Sequence, residues 1–268
     1  MTYQKLMAIG AHADDIELNV GGTLCKYKDL GYEVVYVMST NNMSGNWSKL
    51  RPDGTKEINV LPYDKIMPQR KKEAAAAAEF FGTKVIHLDH PQRAYVAKDG
   101  RKIKLHYANP RPDCIPPDTP SILTAHEDKM AVQELANLIL EHQPEAILTH
   151  GPIMVDMEHV GTSMLVTKAY KQATKAGYEG ILLYWLDITP TIFGTAFTRW
   201  DTFVDVSNYW DQKLEAVGIH ACQMPDPSRL DFMPWGESCG CKHAEVFNIG
   251  KHERLPQKQS PFYQEILK

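Results

Sequence analysis

The chain has 268 residues, of which 43% are hydrophobic and 23% charged. That is ordinary usage for a globular protein and excludes intrinsic disorder. The length fits one large domain, 1–268. A formal net charge of −4 argues against a general polyanion binder, so no nucleic-acid partner is expected. No apolar run is long enough to span a membrane. The first residues lead straight into a strand-like run, with no signal-peptide core, so a cytoplasmic setting is expected. Five cysteines at irregular spacing, positions 25, 114, 222, 239 and 241, make no disulfide framework.

Short β-branched runs alternate with helix-like stretches. Leu6–Ala11, Glu33–Met38, Lys84–Leu88 and Glu145–Thr149 read as strands. Between them Leu18–Leu30, Gln69–Phe81 and Asp128–Glu141 read as helices, two of them followed by the glycines, Gly31 and Gly82, expected past a helix end. A helix over Glu158–Ala176, strands at Gly180–Leu186 and Thr202–Val206, and a helix over Tyr209–Gln223 complete the series. The alternation predicts right-handed βαβ units. The expected architecture is α/β: a Rossmann-like three-layer fold, with a mainly parallel sheet and helices on both faces. Two loop excursions interrupt it, one near 41–67 and one near 105–125, the second centred on Asn109–Pro120 with its five prolines. Each is read equally as a functional loop or as a plain insertion.

Eleven histidines direct attention to metal or acid–base chemistry. The first strand ends in Ala11-His12-Ala13-Asp14-Asp15-Ile16-Glu17 and a helix follows. In doubly wound sheets, ligands gather outside the carboxyl ends of the strands. An imidazole and a carboxylate three residues apart across that turn can reach one cation, while the carboxylate between them faces the same space. Taken alone, helix capping would explain the aspartates better. The fourth strand leads into Thr149-His150-Gly151-Pro152-Ile153-Met154-Val155-Asp156-Met157-Glu158-His159. A third ligand from here completes a His-Asp-His set suited to zinc with open positions for water. Cys239-Gly-Cys241-Lys-His243 is too cramped to be favoured as a second metal site, and the first turn lacks the glycine pattern of dinucleotide binders.

These residues resemble the PIG-L/LmbE-like family of zinc-dependent N-deacetylases. Its first motif is similar to Ala11–Glu17 with Gly21-Gly22-Thr23-Leu24. Its Arg-x-x-Glu-x-x-x-Ala helix falls on Arg70, Glu73 and Ala77, and its His-x-x-His on Asp156-Met157-Glu158-His159. Lys213, Ala216, His220 and Gln223 match a late motif, and Ala244, Glu245 and Phe247 a closing one. The likeness runs in order through nearly the whole chain.

The resemblance implies a Zn2+ cofactor, with other divalent metals open, held by His12, Asp15 and His159. It implies Asp14 as the general base, Arg70 at the substrate end, and a small-molecule amino-sugar conjugate losing an N-acyl group, acetyl above all. Asn42 and His220 are further substrate-binding candidates. Family members often assemble, so a homo-oligomer is open.

One departure matters. The family's first histidine of His-x-x-His, which would supply an oxyanion donor or acid, is Asp156 here. Four readings stand: a protonated Asp156 in the same catalytic role; His150 or His220 as the acid; Asp156 as a further metal ligand; or weak or redirected activity. The alternative function is therefore a non-catalytic or repurposed metal- and carbohydrate-binding member, with hydrolysis of another bond such as an ester as a third.

Overall fold

Successive residues of a β-strand point to opposite faces, and in this chain both faces are apolar. The computed structural model describes residues 4–105, 111–186, 200–228 and 235–250. Strands β1 (Lys5–Gly10), β2 (Glu33–Thr40), β8 (Ala146–His150) and β9 (Ile181–Trp185) form the sheet's centre. Leu6, Ala8, Val34, Tyr36, Met38, Leu148 and Leu183 face one buried cluster. Their neighbours Met7, Ile9, Val35, Val37, Ile147 and Leu182 face the other.

The first cluster is covered by α1 (Asp15–Asp29) and α5 (Trp210–Gly218). The second is covered by α3 (Lys129–His142) and α4 (Met157–Lys175). With β5 (Val85–His90), β10 (Thr202–Asp205) and β11 (Ala244–Ile249), the sheet order is β10-β11-β9-β8-β1-β2-β5. Pairing is parallel from β5 through β9, and antiparallel on both sides of β11. The expected three-layer α/β architecture is present. No helix among the described residues is long and apolar enough to cross a membrane, and all five cysteines are free thiols.

The excursions carry more structure than their composition predicts. Residues 41–67 hold a hairpin of β3 (Asn46–Leu50) and β4 (Lys56–Val60). Helix α2 (Tyr63–Phe80) begins six residues earlier than expected and runs through Pro68. Proline reads as a breaker, yet near a helix start it forfeits only one intrahelical bond, and the long alanine-rich segment that follows sustains the helix. A second hairpin, β6 (Ala94–Val96) with β7 (Lys102–Lys104), precedes the excursion near 105–125; residues 106–110 of that excursion lie outside the described set. The closing motif is strand β11, which the sequence reading left unassigned, and the short helix α6 (Trp235–Ser238) comes just before it.

Three of the family-like motifs meet away from the sheet edge. Glu245 on β11 accepts the backbone N–H groups of Gly22 (3.0 Å) and Thr23 (2.7 Å), and pairs with the buried Lys213 of α5 at 2.5 Å. A Cβ on Gly22 would lie 2.7 Å from the Val206 side chain, so the helix approaches there only because that residue is glycine. These residues fix α1, and thereby the turn that begins it. Removing one member of a buried ion pair leaves the other charge uncompensated, at a cost of about 3–5 kcal/mol. Lys213→Met is therefore expected to lower unfolding stability by about that amount in urea titration with an unchanged slope; a loss below about 1 kcal/mol would contradict the reading.

Candidate metal centre and active site

Strands β1 and β8 are adjacent and parallel, so the turns that follow them open on the same edge. His12, Asp14 and Asp15 come from the first turn, and His159 from the first turn of α4. His12 Nδ1 lies 3.2 Å from His159 Nε2. His159 Nε2 lies 3.3 Å from Asp15 Oδ1, and His12 Nδ1 3.5 Å from Asp15 Oδ2. Tetrahedral zinc with ligands at 2.0–2.1 Å separates any two of them by about 3.3–3.4 Å. The two nitrogens thus stand near ligand spacing from each other, and each meets one oxygen of the Asp15 carboxylate at a similar distance; one donor atom from each residue lies within 4.8 Å of the other two. Among the described residues they are the one group of this kind found to converge. Cys239, Cys241 and His243 do not join such a group; the His243 ring instead stacks on Trp210 at 3.9 Å.

The far nitrogen of His12 is held as well. His12 Nε2 lies 2.6 Å from Glu158 Oε2. Glu158 also accepts from Gln92 Nε2 (2.9 Å) and from the Arg93 backbone N–H (2.7 Å). Burial raises the Glu158 carboxyl, but the bond from His12, its charge, and the donors Gln92 and Arg93 outweigh this and bring it to about 2. Burial likewise works against a charged His12, and Asp15 and Glu158 overcome it, lifting the imidazole to about 9. Asp15, despite burial, is held well below the usual carboxylate range by His159, His150 and His12. Two ionised, buried carboxylates thus hold positive charge at His12. A ligating histidine whose second nitrogen is bound by a carboxylate is the arrangement that fixes tautomer and ring orientation in metal sites.

Asp14 occupies the position of a helix N-cap but makes no side-chain cap bond. Its backbone sits at φ 123°, a conformation L-residues rarely adopt. Strain of this kind persists only where its surroundings enforce it. Arg70 does so: its Nη2 donates to Ala13 O (2.8 Å) and contacts Asp14 Oδ1 (3.2 Å), while Nη1 donates to Ser44 O (2.8 Å). Burial pushes the Asp14 carboxyl above its ordinary value although Arg70 opposes it. A raised carboxyl is a stronger base once ionised.

The remaining candidates are distributed around this centre. Asn42, at φ 57°, spends its amide on the turn itself: Oδ1 accepts from Ala13 N at 2.8 Å and Nδ2 donates to Thr40 O. His220 is fully buried, 2.8 Å from Glu17, and is raised because Glu17 outweighs its desolvation. His150 is also fully buried; its Nε2 lies 3.0 Å from Ala11 N and 3.1 Å from Asp15 Oδ2, and its ring stacks on His159 at 4.0 Å. Asp156 is not among the converging donors. It caps α4, accepting from Glu158 N at 2.8 Å, and its other oxygen lies 3.8 Å from the Arg93 guanidinium. From sequence, Glu158 groups with Asp14, Asp15 and Asp156 as carboxylates gathered at one strand edge, with no contact to His12 assigned; nothing in the sequence points to Gln92 or Arg93. Glu158 carried a signal, since it directly precedes a suspected ligand. Gln92 and Arg93 carried none, because a contact across 65 residues leaves no local pattern.

Residues 7–170, from β1 into α4, match the family model described as GlcNAc-PI de-N-acetylase, PIG-L. That is more than half of the chain and includes His12, Asp14, Asp15 and His159. The chain belongs to the PIG-L family. It is 25% identical over 252 residues to a 1D-myo-inositol 2-acetamido-2-deoxy-alpha-D-glucopyranoside deacetylase of Mycobacteroides abscessus, covering 84% of this chain and 83% of that one. It is 23% identical over 229 residues to a diacetylchitobiose deacetylase of Thermococcus kodakarensis, covering 83% and 71%. The crystal structure of 4-carboxy-2-hydroxymuconate hydratase from Pseudomonas putida KT2440 shares the fold, with a TM-score of 0.67 at 20% identity, over 96% of this chain and all of that one.

If Glu158 orients His12, Glu158→Gln weakens zinc binding by about 10- to 100-fold, as read by competition with a chromophoric chelator. Unchanged affinity would make the 2.6 Å contact incidental.

Proposed function

We propose that this member of the PIG-L family is a zinc-dependent N-deacetylase acting on an amino-sugar conjugate. The observation that carries the reading is the triangle of His12, Asp15 and His159 donors with the strained Asp14 carboxylate beside it. The donor set fits zinc: two imidazoles and one carboxylate at ligand spacing, with a carboxylate behind His12. Zinc, when bound, lowers the pKa of a water to about 7 and draws electron density from an acyl oxygen. The amino-sugar substrate class rests on the deacetylase relatives.

The chain's own residues supply the rest. Asp14, set by Arg70 and aimed by its backbone, takes a proton from the attacking water. The same carboxyl then returns that proton to the departing amine nitrogen, so one group serves as base and acid in turn. Glu158 fixes His12, and His150 packs against His159 and Asp15, which limits movement of the ligands. Asn42 and Arg70 brace the Ala13–Asp14 turn. Arg70 is buried, with both terminal nitrogens on the protein, which favours a positioning role over direct sugar binding.

The likeness to a hydratase favours a second reading, addition of water across a carbon–carbon double bond, because the same base and cation would serve it. The two separate in one assay series. Zinc-loaded protein is expected to release acetate from N-acetylglucosamine conjugates and to leave unsaturated tricarboxylates such as 4-carboxy-2-hydroxymuconate unchanged. Turnover of the tricarboxylates alone would favour the hydratase, and no turnover of either at full zinc occupancy would sink both. Asp14→Asn should retain zinc while losing about 10²–10⁴ in kcat, whereas His12→Ala should lose zinc. Equal metal loss in both variants would mean that base and ligand are exchanged.

A further inference from the structure

Asp156 stands where the family has an imidazole, and the structure gives it two duties that leave no donor. One oxygen accepts the Glu158 N–H and the other faces Arg93. An ionised carboxylate cannot donate to an oxygen that is gaining negative charge. Another group must do so.

Arg93 is the cation that Asp156 itself meets. Its backbone is fixed, because its N–H donates to Glu158 Oε1 at 2.7 Å, and the same carboxylate binds His12. Its side-chain tip is held far more loosely. Nη2 lies 3.8 Å from Asp156 Oδ2, Nε lies 3.8 Å from Glu158 Oε1, and the side chain is 44% exposed. The root is thus tied to a ligand-bearing network, while the guanidinium keeps N–H groups for a bound molecule. Guanidinium carries five donors and does not deprotonate, so it can stabilise an oxyanion without exchanging a proton. Loosely held ion pairs at 3.8 Å are weak and are given up readily.

We propose that Arg93 is a catalytic residue, donating to the acyl oxygen of the substrate in place of the imidazole absent at position 156. This rests on the deacetylase reading. Water adds to the amide carbon while Asp14 takes one of its protons, and the carbonyl π pair moves onto the acyl oxygen, where Arg93 donates. On collapse that pair re-forms the carbonyl and the C–N bond breaks. The amine leaves with the bonding electrons and the proton from Asp14, and the acyl group leaves as the carboxylic acid. No proton is required from Arg93 or Asp156.

The test uses zinc-loaded full chain and two readouts. Loss of one oxyanion donor typically costs about 10²–10³ in kcat. Arg93→Ala is expected to show that loss with little change in KM, in zinc affinity or in Tm. Added methylguanidine should restore part of the rate, and the double variant Arg93→Ala with Asp156→His should recover turnover. Methylphosphonate, a tetrahedral anion resembling the charged intermediate, should bind Arg93→Ala at least 10-fold more weakly than wild type in calorimetry. Unchanged kcat, or a rise in KM alone with no methylguanidine rescue, would overturn the proposal. If wild type hydrolyses no amide, the deacetylase reading fails by itself and methylphosphonate still decides Arg93: equal affinity for wild type and Arg93→Ala refutes its role at the oxyanion.

Discussion

Two carboxylates buried beside one imidazole set the terms for this protein. Asp15 and Glu158 grip His12 from opposite nitrogens, and both stay ionised despite burial. Buried negative charge is tolerated only where a cation answers it. Without metal, a proton on His12 can serve. A divalent ion held by His12, Asp15 and His159, as proposed, would answer it more fully, because it would displace that proton and take the third donor as well. The strand-edge geometry and the buried Arg70 hold the strained Asp14, the proposed base, in the turn beside that charge.

Family-like motifs divide physically into two groups. One, His12 through Asp15 with Arg70 and His159, gathers at the sheet edge that carries the proposed site. The other, Gly22, Thr23, Lys213 and Glu245, lies deeper and holds α1 against β11 through a buried ion pair. A motif residue is therefore not a catalytic residue by membership. Glu73 makes the point within a single motif: it stands three residues after Arg70, yet its carboxylate accepts from the backbone and thiol of Cys222, which ties α2 to the segment after α5.

Much of the architecture was legible because parallel strands buried on both faces are continuous apolar runs separated by amphipathic helices. Leu6–Ala11 and Glu145–Thr149 could be recognised in this way, and their adjacency in the sheet then brings His12 and His159 together. The hairpins at Asn46–Val60 and Ala94–Lys104 were not legible: β3, β4 and β7 are short, polar and mostly exposed, and the apolar β6 is only three residues long, so alternation is faint. Pro68 masked the start of α2. At the site, residue types and spacing singled out the three residues that converge, His12, Asp15 and His159, whereas the contacts of Glu158 with Gln92 and Arg93 come from a long-range meeting of the β5–β6 loop with α4. The aspartate at position 156 was visible as a departure; that it serves as a cap, with an arginine beside it, required the fold.

The central claim is that this strand edge holds one divalent ion through His12, Asp15 and His159. X-ray absorption at the zinc edge of protein loaded with one equivalent tests it most directly. The account predicts a first shell of nitrogen and oxygen only, at about 2.0–2.1 Å, with two imidazoles that fall to one in His159→Ala. Sulfur scattering near 2.3 Å, or a shell unchanged in that variant, would place the ion elsewhere and contradict the account.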